Sequence, residues 1–202
     1  MLALIDYGAG NLRSVENALR TAGAEDVCVT ADPDRVRTAD RIVLPGVGAF
    51  GACMNALAAL PGMVDTLNER VVEKGTPFLG ICVGMQLMAN AGEEMGVYPG
   101  LGWIDGTVRR LPDAPGIKVP HMGWNDVTST RPHPLILPGE AYYLHSYAFD
   151  VENPDHRLAE TDHGGPVTAA VGRDTMIGVQ FHPEKSQAYG LAFLARFLEW
   201  RP

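Results

Sequence analysis

Cys82 stands between two glycines in Gly80-Ile81-Cys82-Val83-Gly84, with an apolar run before it and Met85-Gln86-Leu87-Met88 after it. The pentapeptide is the cysteine form of a G-x-S-x-G nucleophile elbow, in which the nucleophile rides a sharp turn between a strand and a helix. Glycines two residues to either side leave room for the cramped backbone. The start of the following helix favours thiolate through its partial positive charge and free N–H groups. Taken alone, the pentapeptide serves as well for an inert buried thiol.

A thiolate nucleophile needs a proton partner. Six histidines are present: His121, His133, His145, His156, His163 and His182. Most lie in loop-like surroundings, where a surface imidazole is the default. His182 differs, because it follows the strand-like run Met176–Phe181 and precedes Pro183-Glu184. A parallel strand there delivers His182 to the sheet's carboxyl edge, the edge an elbow occupies. Glu184 is near enough to accept from the second imidazole nitrogen and orient the ring. The same residues also read as a helix start capped by Glu184 and Ser186, and both readings can hold. The order nucleophile, histidine, acid excludes an α/β-hydrolase triad, where the acid precedes the histidine.

Acyl transfer further requires donors for an oxyanion. One is the backbone N–H of Val83, the residue after the nucleophile. A second is Val47 in Pro45-Gly46-Val47-Gly48, at another strand's carboxyl end, where flanking glycines let its peptide turn the N–H inward.

The elements that must hold these groups are legible as alternation. Leu2–Tyr7, Val27–Thr30, Arg41–Leu44 and Thr76–Ile81 read as buried strands. Helices are expected after Asn11 as far as the stop at Gly23, from about Met63 to Lys74, and from Met85 to Asn90. Strands alternating with helices at this spacing imply a mostly parallel sheet covered on both faces. After about Gly92 the texture turns antiparallel, with strands expected at Trp103–Leu111, Gly123–Thr128, Ala141–Val151 and Val167–Phe181. A last amphipathic helix covers Gln187–Trp200. With no linker or repeat, residues 1–202 read as one domain.

Composition narrows the function classes. The chain is 46% hydrophobic and 20% charged, with a net charge of −8 and no run of basic residues. Nucleic acid is thus a poor partner, since phosphate neutralisation needs a basic patch. The start, MLALIDYGAG, reads as a strand rather than a leader, and no apolar run has the length of a membrane span. Cys28, Cys53 and Cys82 are an odd number without metal-like spacing and fit a reducing cytoplasm. Cys28 is expected as a reduced core thiol and Cys53 as a packing residue. Gly8-Ala9-Gly10-Asn11-Leu12-Arg13 lacks the third glycine of a dinucleotide fingerprint and reads as a tight strand-to-helix turn.

Together, Cys82 in its elbow and His182-Pro183-Glu184 downstream resemble the class I (triad) glutamine amidotransferases. Six stretches resemble, within that class, the glutaminase subunits of imidazole glycerol phosphate synthases: DYGAGNLRS (6–14), LPGVGAFG (44–51), GICVGMQL (80–87), PHMGWN (120–125), YYLHSYAF (142–149) and GVQFHPEKSQ (178–187). The resemblance implies a three-layer α/β/α fold with a central mostly parallel sheet and added antiparallel strands. It implies hydrolysis of glutamine through a Cys82 thioester, with His182 moving the proton and Glu184 orienting it. Gln86 and Glu94 would hold the amino-acid end of glutamine, with Gly48, Ser146 and Tyr147 lining the pocket. Ammonia would pass to a separate (βα)₈-barrel cyclase subunit that makes imidazole glycerol phosphate and aminoimidazole carboxamide ribotide in histidine biosynthesis. Asn11, Trp124, Tyr142 and Lys185 correspond to positions facing that subunit in a heterodimer. No metal or organic cofactor is implied. A glutaminase serving another synthase, a cysteine hydrolase on a related fold, and a binding subunit with a vestigial triad remain the alternatives.

Overall fold

The computed structural model describes residues 1–113 and 116–202. Four short, fully apolar or nearly apolar segments, β1 (Leu2–Ile5), β2 (Val27–Thr30), β3 (Arg41–Leu44) and β4 (Phe78–Ile81), lie parallel in the order β2-β1-β3-β4. β1, β3 and β4 are buried at every position, as strands covered on both faces must be. The chain steps from β1 to β2 in one direction, then crosses back to β3 and β4 in the other. Right-handed crossovers therefore put helix α1 (Leu12–Thr21) on one face and α2 (Pro33–Arg37), α3 (Phe50–Ala58) and α4 (Met63–Leu67) on the opposite face. The side chain of Asn11 accepts from the Ser14 N–H to start α1, and Gly23, at φ +110°, lets the chain leave it. A π-helical turn, Asn68–Glu73, continues α4.

The fifth parallel strand comes from far along the chain. β13 (Met176–Val179) lies against β4 with Met176 opposite Phe78 and Val179 opposite Ile81. Beyond it the sheet turns antiparallel through β12 (Pro166–Arg173), β11 (Arg157–Asp162), β8 (His121–Ser129) and β9 (Gly139–His145), nine strands in all. A second sheet, ordered β10-β7-β5-β6, is built from β5 (Ala91–Glu93), β6 (Val97–Pro99), β7 (Gly106–Arg110) and β10 (Tyr147–Val151). Helix α6 (Gln187–Glu199) closes the chain beside α1. Arg41, almost buried, donates to the carbonyls of Leu198 and Trp200 and pins the end of α6 to β3. No single helix among the described residues is long and apolar enough to cross a membrane.

Four expectations need correction. Ala141–Val151 is two strands in two different sheets, parted at Ser146. Val167–Phe181 is a hairpin, β12 and β13, with Asp174 at φ 49° in its two-residue turn. The helix expected over Met85–Asn90 is a single turn, α5 (Val83–Gln86). The carbonyls of Leu87, Met88 and Ala89 accept instead from N–H groups of residues 101–104, so no helical ladder continues. Finally, Cys28 is half-buried, with an Arg35 nitrogen 3.8 Å from its sulfur. Helices α2 and α3 and strands β5, β6 and β11 were not anticipated. Cys53 is buried, as expected.

Candidate active site

Three neighbouring parallel strands, β3, β4 and β13, end at the same edge, and each delivers one part of the site. After β4 the chain turns sharply at Cys82, which is held at φ 54°, ψ −111°. A positive φ is unusual for a residue with a Cβ, and such strain persists only where the surroundings fix it. They do so here: the Cys82 N–H donates to Val179, and its carbonyl accepts from Met85 and Gln86. A Cβ at Gly84 would collide with the Leu44 carbonyl oxygen, and one at Gly46 would lie 2.8 Å from the Gly84 nitrogen. The two glycines thus let the Pro45–Gly48 loop press directly onto the elbow. Val47 is 44% exposed, and both Val47 and Val83 face one cavity.

That cavity measures about 310 Å³, the scale of a site for one small metabolite. Every pocket residue expected from the sequence lines it: Gly48, Gln86, Glu94, Ser146 and Tyr147, together with Cys82 and His182. Glu184 stands behind His182, its Oε1 2.8 Å from the ring Nδ1, and both side chains are under 4% exposed. The other oxygen of Glu184 is buried with no protein partner, so the carboxylate's contact is with the ring alone. Burial opposes charge on His182, but Cys82 and Glu184 outweigh it and the pKa is pushed up to about 10. The pair thus favours the protonated ring, while the Cys82 sulfur itself lies 3.9 Å from the Leu144 carbonyl oxygen. The one-turn α5 lends the sulfur less dipole than a full helix would.

Sequence reasoning missed Gln180. It is fully buried and donates to the Cys82 sulfur across 3.6 Å. Its oxygen accepts from Gln86 at 3.0 Å, and the same Gln86 nitrogen donates to the Tyr147 carbonyl at 2.9 Å. The signal was its position between the end of β13 and His182. Glu94 is likewise tied down, one oxygen accepting from the Phe50 N–H at the start of α3. Its carboxylate there meets the positive end of a helix.

The histidines also depart from expectation. His121 and His145 are buried, and none of the six lies fully exposed. Around the cavity mouth, β8 and β9 present Met122 and Trp124 opposite Leu144 and Tyr142 on one outward face. Trp124 and Tyr142 meet edge to face at 6.1 Å, and the Lys185 ammonium lies 5.9 Å from the Tyr142 ring. Asn11 is exposed at the start of α1, which packs against the turn Pro183–Lys185.

The family model of the class-I glutamine amidotransferases matches residues 3–199. The chain belongs to this family. An imidazole glycerol phosphate synthase subunit HisH from Zymomonas mobilis is 64% identical over all of this chain and 96% of its own length. The subunit of the same name from Ruegeria pomeroyi is 54% identical, with both chains covered fully. Among solved structures, a glutamine amidotransferase superimposes with a TM-score of 0.75 at 18% identity, covering 98% of this chain and 97% of the other. The glutaminase domain of a Trypanosoma brucei CTPS, bound to acivicin, gives 0.66 at 17% identity, covering 100% and 94%. These distant likenesses establish the class-I amidotransferase fold. In a site of this class built as here, Glu184→Gln should lower glutamine turnover by less than His182→Ala does. The expectation is that the acid only orients the ring, to which it is hydrogen-bonded, whereas the ring would carry the proton. Steady-state kinetics of both folded variants decide it, and an equal or greater loss at Glu184 contradicts the assignment.

Proposed function

We propose that this chain is the glutaminase of an imidazole glycerol phosphate synthase. It hydrolyses glutamine to glutamate and ammonia and hands the ammonia to a cyclase subunit in histidine biosynthesis. The observation that carries the reading is the single cavity shared by Cys82, His182 and the five pocket residues. Similarity along the full length to the HisH subunits supports the choice of partner.

In this reading His182 holds the proton of Cys82, and the thiolate attacks the side-chain amide carbon of glutamine. The tetrahedral oxyanion is met by the N–H groups of Val83 and Val47. His182 then gives its proton to the departing nitrogen, ammonia leaves, and a glutamyl thioester remains. Water, deprotonated by His182, cleaves the thioester to glutamate and regenerates Cys82. The free oxygen of Glu94 takes the substrate ammonium, and Gln86, Gly48, Ser146 and Tyr147 wall the amino-acid end. The cyclase subunit docks over the exposed apolar face of Met122, Trp124 and Leu144, with Tyr142, Lys185 and Asn11 around it. No single-sign basic patch or membrane surface enters, and the cytoplasm is the compartment this chemistry fits.

The test is to mix the purified chain with the matching cyclase subunit, its nucleotide substrate and glutamine. Imidazole glycerol phosphate and one glutamate per turnover are the expected products. Peptide cleavage, or glutamine turnover that supports only a different synthase, would overturn the reading.

A further inference from the structure

A polar thread runs through the buried face of the β8–β9 hairpin and ends at the glutamine pocket. It begins at Asn125, whose orientation is fixed because its Oδ1 accepts from the Asp126 N–H at 2.9 Å. Its Nδ2 donates to the Asp162 carbonyl at 2.8 Å and lies 3.1 Å from His121 Nε2. A donor aimed at Nε2 requires that nitrogen to be bare, so the His121 proton is on Nδ1. His121 Nδ1 lies 3.0 Å from His145 Nε2 and donates to it. By the same logic the His145 proton is on Nδ1, which lies 2.9 Å from the Tyr147 carbonyl oxygen. Each link fixes the next, and a buried imidazole whose two nitrogens are both matched loses rotational freedom.

The rings are also clamped sideways. His121 stacks between Tyr143, at 4.7 Å and 17°, and His163, at 4.1 Å and 21°. Burial foremost pushes the His121 pKa down to about 4 and that of His145 to about 3, so both stay neutral in neutral solution. The Tyr147 carbonyl therefore receives two donors, Nδ1 of His145 and Nε2 of Gln86. Through Gln86 and Gln180 it is joined to the Cys82 sulfur.

We propose that His121 and His145 are positioning residues for glutamine binding: a hydrogen-bonded imidazole pair that anchors the Tyr147 carbonyl and so holds the Ser146–Tyr147 wall of the pocket. Ser146 is where the chain leaves one sheet for the other. The Ser146 carbonyl is held from the β7 side by the Leu111 N–H at 2.8 Å, and Tyr147 pairs with Arg110. The imidazole pair adds a side-chain restraint at the next carbonyl, that of Tyr147. The inference rests on the glutaminase reading for the identity of the ligand, but not for the hydrogen-bond thread itself.

Two measurements test it. In the complex with the cyclase subunit, His145→Leu leaves the Tyr147 carbonyl short of a buried donor. It should raise KM for glutamine about tenfold or more, with kcat per titrated Cys82 changed less than about threefold. His145→Asn places an amide N–H near the Nδ1 position and should recover most of the loss. Unchanged KM with the loss confined to kcat or to the fraction of active sites overturns the proposal. So does an asparagine variant no better than leucine. Imidazole nitrogen NMR of the unsubstituted protein provides the second measurement, independent of folding in the variants and of any activity. Both rings should be neutral and protonated on Nδ1. A proton on Nε2 of either ring overturns the thread, whereas absent glutamine turnover with the expected tautomers overturns only the glutaminase reading.

Discussion

Glutamine hydrolysis should fall by at least about four orders of magnitude in Cys82→Ala, while synthesis supplied with free ammonia by the assembled complex stays near its original rate. The reason is a division of labour in space. Cys82 is the one cysteine on a strained turn at a cavity, with a cationic imidazole and the Gln180 amide directed at its sulfur. Cys53 is buried away from any elbow, where burial raises its thiol pKa, and Cys28 sits beside Arg35 on β2. Neither can replace the nucleophile. In the proposed complex the ammonia chemistry lies in the partner subunit and does not involve the sulfur. The measurement is a pair of assays on each cysteine variant, one with glutamine and one with ammonium. Loss of both in Cys82→Ala would mean a folding defect, and inactivation by Cys28→Ala instead would refute the assignment.

Turnover of glutamine should rise about a hundred- to a thousandfold when the cyclase subunit and its nucleotide are bound, the factor that one oxyanion donor is worth. The Pro45–Gly48 loop has the construction such a switch needs. The Tyr7 hydroxyl donates to the Pro45 carbonyl at 2.7 Å, and the Cys53 thiol donates to the Val47 carbonyl at 3.4 Å. Two peptides are thereby anchored, and the one between them carries the Gly46 carbonyl and the Val47 N–H. Gly46 at one end of that peptide eases its rotation, and Gly48, at φ +107°, lets the chain beyond Val47 adjust. Val47 is exposed beside the apolar face at which the cyclase is proposed to dock, so binding can favour one orientation over the other. Turnover is to be measured for the subunit alone, for the complex, and for the complex with nucleotide. Comparable values in all three would remove the switch and leave the catalytic residues as assigned.

The parallel half and the catalytic edge were legible because backbone demands there are local. A glycine pair around Cys82, a glycine pair around Val47 and a strand-like run leading into His182 each declare themselves within ten residues. The antiparallel half was less legible. Ala141–Val151 has no glycine or proline at Ser146, so nothing in its propensities marks the change of sheet. The β8–β9 hairpin inverts the usual alternation, turning Met122 and Trp124 outward and His121 and Asn125 inward. A binary apolar-in pattern therefore assigns the faces the wrong way round, and the buried histidines read as surface ones. That inversion fits the docking proposed above, and neither face is visible without the pairing register. Gln180 was hidden for a different reason: its partners, Cys82 and Gln86, are 98 and 94 positions away.

The strand that leads into His182, β13, is the last strand of the nine-stranded sheet to be made, so the parts of the proposed site meet in a fixed order. β4 can pair with β3 early, but its other neighbour, β13, lies nearly a hundred residues further along the chain. Contacts of such long sequence separation are slow to form and are closed late in folding. Until then Cys82 has no imidazole, no Gln180 and no carbonyl from Val179 to hold its turn. With the site as proposed, a chain stopped before β13 has a nucleophile without its partners and should not turn over glutamine.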